Sequence, residues 1–188
     1  MKFFLSIIRF FKKIYYFCLN KKERKIMTQK EYNLISKNYS NSRIIMSEYT
    51  EINFKSIPIS KQSHGFKPLG LWYGIGTSWI DWVKINMRDW EYNNIFEIKI
   101  DESKILKINN VKILREFTSE YTVPFGGIKS ESNDLKMIDW NRFCTDKSGI
   151  EIDPFIITTL YDMWISTWDV ESGCVWDDNV IYEITKII

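Results

Sequence analysis

Two short stretches of this 188-residue sequence concentrate the residue types that bind ligands or carry out acid–base chemistry. Residues 63–79 (SHGFKPLGLWYGIGTSW), which we call patch 1, hold the only histidine, four glycines and four aromatic residues. Residues 164–178 (WISTWDVESGCVWDD), which we call patch 2, hold three tryptophans and four acidic residues. A carboxylate beside an indole is partly desolvated, which raises its pKa towards neutrality. The patches therefore predict a site, unless their glycines only form turns and their indoles only fill the core.

The small number of histidines and cysteines limits the chemistry of such a site. A single histidine, His64, excludes sites that need two imidazoles, such as the H-E-x-x-H zinc enzymes. The three cysteines are widely spaced and form no C-x-x-C pair, so we expect neither a metal site nor a disulfide framework. A cysteine hydrolase with Cys174 as nucleophile, His64 as base and Asp169 as acid is one alternative. A buried and inert Cys174 is the other.

The two patches together resemble a known group of viral proteins. Residues 64–72 match H-x-F-K-P-x-G-L-W, and residues 168–176 match W-D-V-x-S-G-C-x-W. This pair of motifs resembles a family of uncharacterised proteins from phages and large DNA viruses. The resemblance runs from about residue 63 to the C-terminus. It implies no established activity.

Patch 1 is also distantly similar to the ADP-ribosyltransferases, which bind NAD in a split α+β fold. His64 and Gly65 resemble the His-Gly pair of that family, which holds the nicotinamide ribose and amide. Residues 70–73 (GLWY), followed by Ser78 and Trp82, are similar to its G-I-Y-F strand, serine and stacking aromatic residue.

The same similarity implies a late-strand glutamate that orients the ribose hydroxyl and stabilises the developing oxocarbenium ion. Glu171 is the best match for it, and Glu183 is the second. The sequence departs from the family between the two early strands, where only residues 66–69 stand in place of a helix and a loop. If the fold is shared, we expect the first strand upstream, within residues 43–57, and a different role for His64.

Two functions from different classes follow. The first is an NAD-using transferase, in which a target nucleophile attacks the anomeric carbon as nicotinamide leaves. Its predicted catalytic residues are Glu171 and His64, and its predicted cofactor-binding residues are Gly65, Trp72, Tyr73, Ser78 and Trp82. The second is a non-enzymatic host- or virion-interaction protein with exposed indoles, because tryptophan and tyrosine dominate binding hot spots. A cleft containing Tyr73 and Glu171 favours the enzyme, and indoles clustered on the surface favour the interaction protein.

The elements expected to position these residues form one α+β domain over residues 27–188, with short mixed or antiparallel sheets and several helices. Alternating and apolar segments predict strands at 51–57, 71–74, 94–101, 149–152, 174–176 and 180–187, with 105–108 continuing the third strand after a turn or bulge. Helical spacing predicts helices from residue 78 to about 90, over 111–121 and 138–144, and from 154 to about 168. Ser78 is expected to cap the first of these helices, with Asp81 completing an approximate capping box.

The first 26 residues differ from the rest in charge. Residues 1–25 carry eight basic side chains and one acidic, a net charge of +7, whereas the other 163 residues carry 18 and 23, a net charge of −5. Polar positions recur every three or four residues in 2–13, which predicts an amphipathic helix lying on an anionic membrane surface. A signal-anchor role is a second interpretation. An upstream extension or disordered tail is a third, because Met27 opens an ordinary start, MTQKEYNL.

The charge and composition of the remainder restrict its partners and source. An acidic body argues against binding of duplex nucleic acid and leaves a protein target open. The lack of alanine, with abundant isoleucine, lysine and asparagine, is typical of an AT-rich genome, such as that of a virus, a bacterium or an intracellular parasite. Few cysteines indicate a reducing compartment. We therefore expect a cytoplasmic protein, in the host cytoplasm if viral, located peripherally at a membrane if the tail anchors it.

Overall fold

The chain forms a single α+β domain, as predicted. The computed structural model describes residues 27–90, 94–124, 136–155 and 164–188, and the predicted N-terminal amphipathic helix lies outside them. The described helices are α1 (Gln29–Asn38), α2 (Ser78–Asn86), α3 (Val111–Tyr121) and α4 (Trp140–Asp146). The described strands are β1 (Arg43–Ser47), β2 (His64–Gly65), β3 (Leu71–Ile75), β4 (Asn94–Ile100), β5 (Ile105–Ile108), β6 (Thr122–Pro124), β7 (Lys136–Asp139), β8 (Gly149–Ile152), β9 (Ser172–Val175) and β10 (Ile181–Lys186).

The strands form a seven-stranded mixed sheet and a three-stranded antiparallel sheet. The large sheet has the order β10-β4-β1-β3-β9-β8-β5, and β5 pairs with β8 in parallel while its other described pairs are antiparallel. The small sheet has the order β2-β7-β6. Strands β4 and β5 lie five positions apart, about 24 Å across a flat sheet, yet the chain from Ile100 to Ile105 reaches at most about 18 Å. The large sheet must therefore curl.

Alternation along the strands gives the large sheet two different faces. On one face, which we call the aromatic face, Trp72 and Cys174 pack with Phe117 of α3 and Phe143 of α4 in one hydrophobic cluster. The rings of Phe117 and Phe143 meet edge to face with centroids 4.9 Å apart. The other face, which we call the aliphatic face, buries Tyr73 among Ile45, Phe96, Ile98, Ile100, Ile105, Val175 and Val180.

The sequence-based elements agree best where the periodicity is long and clear. The strands expected at 94–101 and 149–152 and the helix at 111–121 correspond to β4, β8 and α3. β1 lies within residues 43–57, the range in which the resemblance to the ADP-ribosyltransferases implies an upstream strand. The remaining predicted helix, from residue 154 to about 168, falls largely in residues 156–163, outside the described part of the chain.

Three expectations about local structure are wrong. Residues 51–57 form no strand: within the described residues, one backbone hydrogen bond, from Ile57 N–H to the Trp176 carbonyl (2.8 Å), holds them in place of a ladder. The expected turn is present at Asp101, whose carboxylate accepts the Ser103 N–H at 3.0 Å, but β5 does not continue β4, because it pairs with β8 at the opposite edge of the large sheet. Ser78 does not cap α2: its hydroxyl accepts from Ile75 N–H at 3.2 Å and donates to the Glu171 carbonyl at 2.8 Å.

The described helices are short in comparison with the thickness of a membrane. The longest of them, α3, has 11 residues, whereas a spanning helix needs about 20. None of the helices within the described residues is long and apolar enough to cross a bilayer.

Candidate functional site

Four of the eight tryptophans converge on one cavity beside the aromatic face of the large sheet. The cavity has a volume of about 290 Å³. Its walls are formed by Ile44, Met46, Lys67, Trp72, Tyr73, Gly74, Trp79, Trp90, Trp168 and Ser172. We call it the tryptophan cavity. Patch 1 and patch 2 both contribute to it, so the structure brings together two stretches separated by more than 80 residues.

Strand β3 and the short 3-10 helix Ile165–Thr167 position the two indoles at the back of the cavity. Trp72 and Trp168 pack against each other with ring centroids 4.9 Å apart and planes inclined at 60°. The ring of Trp164, fully buried, meets Trp168 edge to face at 6.3 Å and so limits its rotation. Contacts of this kind lock a side chain in one rotamer, so this wall of the cavity is preorganised.

Gly74 permits helix α2 to approach the sheet closely enough to form the opposite wall. A Cβ atom at Gly74 would lie 2.7 Å from the Cβ of Trp79, which is closer than side chains pack. Trp79 in turn stacks on Trp82, with centroids 5.1 Å apart and planes only 11° apart. The glycine of patch 1 therefore has a packing role at the cavity, and the Trp82 ring supports Trp79 from the side.

Trp168 carries an unsatisfied hydrogen-bond donor. Its side chain is 1% exposed, and its Nε1–H has no acceptor among the residues that the structure describes. The other three buried indoles find acceptors: Trp140 donates to the Gly65 carbonyl, Trp164 to the Thr118 hydroxyl and Trp176 to the Lys147 carbonyl. A buried donor without a partner costs about 1–3 kcal/mol. A ligand acceptor that reached this nitrogen, which is itself closed to solvent, would recover that free energy.

Lys67 is the one residue with a formal charge among the ten that line the cavity. Its Nζ lies 5.3 Å from the centroid of the Trp72 ring and 3.5 Å from Oδ2 of Asp169. Asp169 has a backbone φ of 64°, in the left-handed region, which aspartate tolerates better than most residues. Among the described residues, the cavity wall is thus mainly apolar and aromatic, with Lys67 as its one cation.

An ionic network lies on the aliphatic face, on the far side of strand β3. Glu151, only 4% exposed, accepts hydrogen bonds from Arg43 Nε (2.6 Å), Arg43 Nη2 (3.2 Å) and Tyr73 Oη (3.0 Å). Lys107 Nζ lies 3.7 Å from Glu151, and Glu102 pairs with both Arg43 and Lys107. Burial, with the Glu151 carboxylate second, raises the pKa of the Tyr73 phenol well above its usual value. We call these five residues the Arg43–Glu151 network.

Strand register explains how the network is assembled. Tyr73, Gly173, Glu151 and Lys107 are partners in one row across β3, β9, β8 and β5. A Cβ atom at Gly173 would collide with the Tyr73 ring, so the glycine lets the phenol cross β9 and reach Glu151. The network escaped sequence analysis, although the glutamate inside the otherwise apolar strand GIEI (149–152) was a usable signal.

The structure places two of the seven predicted site residues, Trp72 and Tyr73, at the cavity. His64 lies on β2 of the small sheet with a half-exposed side chain, and its Nε2 is 3.5 Å from Asp139. Gly65, beside it, offers its carbonyl to the Trp140 indole at 3.1 Å.

The other predicted residues lie next to the cavity or away from it. Ser78 ties β3 to Glu171, and Trp82 stacks on Trp79. The Glu171 carboxylate accepts the Phe155 N–H at 3.2 Å, although the next residue, Ser172, lines the cavity. Glu183 is exposed on β10 and pairs with Lys99 at 2.7 Å. Lys67, Trp79, Trp90 and Trp168 line the cavity and were not among the predicted site residues.

Burial of Cys174 and of the tryptophans disfavours two of the alternatives, the cysteine hydrolase and the interaction protein with exposed indoles. Cys174 is fully buried, and burial raises the pKa of its thiol well above the usual value, which opposes formation of a nucleophilic thiolate. All eight tryptophans lie within the described residues; four are buried, four are half-buried and none is exposed. The tryptophan-rich cluster is therefore an internal feature.

Comparisons with known proteins add no further assignment. No protein-family model, curated protein or solved structure matches the chain. Within the described residues, no group of three or more histidine, cysteine, aspartate or glutamate side chains is arranged to hold a metal ion. The chemistry of the tryptophan cavity is therefore the basis for a functional proposal.

Proposed function

We propose that the tryptophan cavity binds a heteroaromatic ring of the kind found in nucleosides, and that NAD is the first ligand to test. The observation that carries the proposal is the buried, unsatisfied N–H of Trp168 in a wall built from four indoles. Flat aromatic walls favour a flat ring, since stacking on an aromatic side chain contributes about 1–3 kcal/mol per base. An unsatisfied donor favours a ring that carries an acceptor, such as a base or a carboxamide.

Nicotinamide meets both requirements. Its ring is cationic in oxidised NAD, and a cation over an indole face gains about 0.5–2 kcal/mol. Its carboxamide oxygen is an acceptor of the kind that the Trp168 N–H lacks. Ligand sites usually measure about 300–1,000 Å³, so a cavity of about 290 Å³ suits one ring and its neighbouring atoms. The remainder of a dinucleotide would extend outside it.

The test is ligand binding followed through the indoles themselves. The full-length protein is titrated with NAD, nicotinamide mononucleotide, nicotinamide riboside, AMP and adenosine, and the change in tryptophan fluorescence is checked against calorimetry. We expect saturable binding of at least one ring type. If no compound binds, the proposal is wrong.

Trp79→Ala and Trp82→Ala form a matched pair for locating the site, because both residues are half-buried and lie on α2. Trp79 lines the cavity, whereas Trp82 only stacks on Trp79. Losing about 1–3 kcal/mol of stacking raises the dissociation constant about 5- to 150-fold, and we expect this for Trp79→Ala. A rise of this size in the dissociation constant of Trp82→Ala, with that of Trp79→Ala unchanged, would place the ring outside the cavity.

ADP-ribosyl transfer is the narrower form of this proposal, and the position of Glu171 next to Ser172 in the cavity wall favours it. In that reaction the bond from the ribose anomeric carbon to nicotinamide breaks, and nicotinamide leaves with the electron pair. The target nucleophile forms the new bond and loses its proton. Glu171 would orient the ribose, which requires its carboxylate to exchange the Phe155 N–H for a ribose hydroxyl.

Release of nicotinamide from NAD separates transfer from simple binding. We expect Glu171→Gln to abolish release while leaving NAD binding within about threefold, because the amide keeps one oxygen but loses the charge that stabilises the oxocarbenium ion. Glu183→Gln, on the exposed pair with Lys99, is the control. Equal release by wild type and Glu171→Gln would exclude Glu171 from the reaction.

A further inference from the structure

Lys67 places a positive charge in the wall of the tryptophan cavity. Resting on the proposed function, we infer that the ligand carries a phosphate beside its ring and that Lys67 binds this group, displacing Asp169 as its counterion. Nothing in the shape of the indole walls requires a phosphate, so the inference depends on three other observations around Lys67.

The first observation is the positive charge of the cavity wall. Lys67 is the charged member of the ten cavity-lining residues, and none of the ten is acidic. A cation beside low-dielectric aromatic walls interacts more strongly with an anion than it would in water. An anionic group attached to a ring in the cavity is therefore attracted to this side of the wall.

The second observation is that the existing ion pair between Lys67 and Asp169 is weak. Lys67 Nζ and Asp169 Oδ2 are 3.5 Å apart, whereas a charge-assisted hydrogen bond measures about 2.7–2.9 Å. The two side chains are 38% and 31% exposed, and ion pairs at this exposure contribute little to stability. A phosphate, with more charge and three acceptor oxygens, displaces such a partner at small cost.

The third observation is that the backbone holds Asp169, the group that would compete with a phosphate for Lys67, in place. Asp169 directly follows Trp168 and has a φ of 64°, and the adjacent Val170 N–H bonds back to the Trp168 carbonyl at 2.6 Å. This tight turn holds the carboxylate beside the cavity, so Lys67 has an anionic partner before ligand binds. Exchange of that partner for a phosphate makes Lys67 a specificity-determining residue.

The experiment compares two probes that share a ring and differ by a phosphate, nicotinamide riboside and nicotinamide mononucleotide, with adenosine and AMP as a second pair. The measured quantity is the ratio of dissociation constants within a pair. Hydrogen bonds to charged groups contribute about 1.5–3 kcal/mol, so we expect wild type to bind the phosphorylated member about 10- to 150-fold more tightly. The preference should decline with salt, since a half-exposed pair is screened.

Three variants assign the preference. Lys67→Met keeps an unbranched apolar side chain of similar length, removes the charge and should bring the ratio to about one by weakening binding of the phosphorylated probe. Asp169→Asn removes the competing charge, tolerates the left-handed backbone and should raise the ratio. Lys61→Met, at an exposed lysine outside the cavity wall, should leave the ratio unchanged. Matching urea midpoints show that each variant is folded.

The possible results separate the two proposals. Binding of both members of a pair with equal affinity by wild type overturns the phosphate inference and leaves ring binding intact. A phosphate preference that survives Lys67→Met shows that another residue binds the phosphate and also overturns it. Failure of every probe to bind wild type overturns ring binding and the phosphate inference together.

Discussion

The Arg43–Glu151 network predicts that a single atom change at Glu151 destabilises the whole domain. The perturbation is Glu151→Gln, which keeps the size of the side chain and removes its charge. Oε2 of Glu151 accepts from both Arg43 Nε and Tyr73 Oη. A glutamine offers only one carbonyl oxygen, so its NH2 group must face one of the donors that the carboxylate satisfied.

The magnitude follows from burial. The side chains of Arg43 and Glu151 are 13% and 5% exposed, so removing one charge leaves the other largely desolvated. Breaking a buried pair in this way costs about 3–5 kcal/mol. Glu102 still contacts Arg43, which places the expected loss nearer the lower value. Domains of this size unfold with about 5–15 kcal/mol, so about 3 kcal/mol is a large fraction of the total.

The assay is equilibrium unfolding in urea, followed by circular dichroism. With a slope of about 2 kcal/mol per molar urea, a loss of about 3 kcal/mol lowers the midpoint by roughly 1.5 M. Glu183→Gln is the matched control, because Glu183 makes an equally short ion pair with Lys99 on the exposed side of β10. We expect its midpoint to match wild type within error, since water solvates both of its charges.

Two results would refute the reasoning. Equal midpoints for Glu151→Gln and wild type would mean that the buried carboxylate contributes no net stability. Equal shifts for Glu151→Gln and Glu183→Gln would mean that burial is not the source of the effect. Replacing the pair together, with Arg43→Met and Glu151→Met, should cost less than either single change, because no unpaired charge is then left in the interior.

Two further predictions concern titratable groups near the large sheet. Iodoacetamide should leave Cys144 and Cys174 unmodified in the native protein and alkylate both in urea, as peptide mass mapping would show. The reason is that burial raises the pKa of Cys144 to about 12 and that of Cys174 well above its usual value. Alkylation of Cys174 in the native protein would revive the hydrolase alternative. Burial, with the Glu151 and Glu171 carboxylates, raises the pKa of Asp153 above 3.8. The folded state thus holds the Asp153 proton more tightly, so its contribution to stability is present at low pH and is lost as the pH rises through the raised pKa. The gain in unfolding free energy from Asp153→Asn should therefore grow from pH 4 upwards, and a gain independent of pH would contradict this assignment.

The sequence identified elements well where the pattern is local. The alternation in NIFEIKI defines β4, and the helical spacing of Leu114, Phe117 and Tyr121 defines α3, because each of these residues is buried in the way its periodicity requires. Residues 51–57 have the same alternation as a strand but form none. A pattern of side chains states which positions are buried, and it does not state whether a neighbouring strand supplies hydrogen bonds.

The tryptophan cavity could be predicted only in part for a related reason. The aromatic residues of both patches were conspicuous, and Trp72 and Tyr73, which the sequence predicts to bind a cofactor, both line the cavity. Trp79, Trp90 and Trp168 meet there because β9 pairs with β3 and Gly74 lets α2 approach the sheet. Those contacts are long-range consequences of sheet order, and no local spacing encodes them. The same holds for Arg43 and Glu151, which lie 108 residues apart.

The alternation of β3 joins the cavity to the ionic network. Trp72 enters the cavity from the aromatic face, and Tyr73, the next residue, holds Glu151 on the aliphatic face. Strand β9 repeats this division, with Ser172 in the cavity wall and Gly173 under the Tyr73 ring. A buried network that fixes β3 and β9 from behind also fixes the positions of the cavity residues they carry. The Arg43–Glu151 network therefore supports, from the aliphatic face, the strands that carry Trp72 and Ser172, and it adds to the packing among the indoles on the aromatic face.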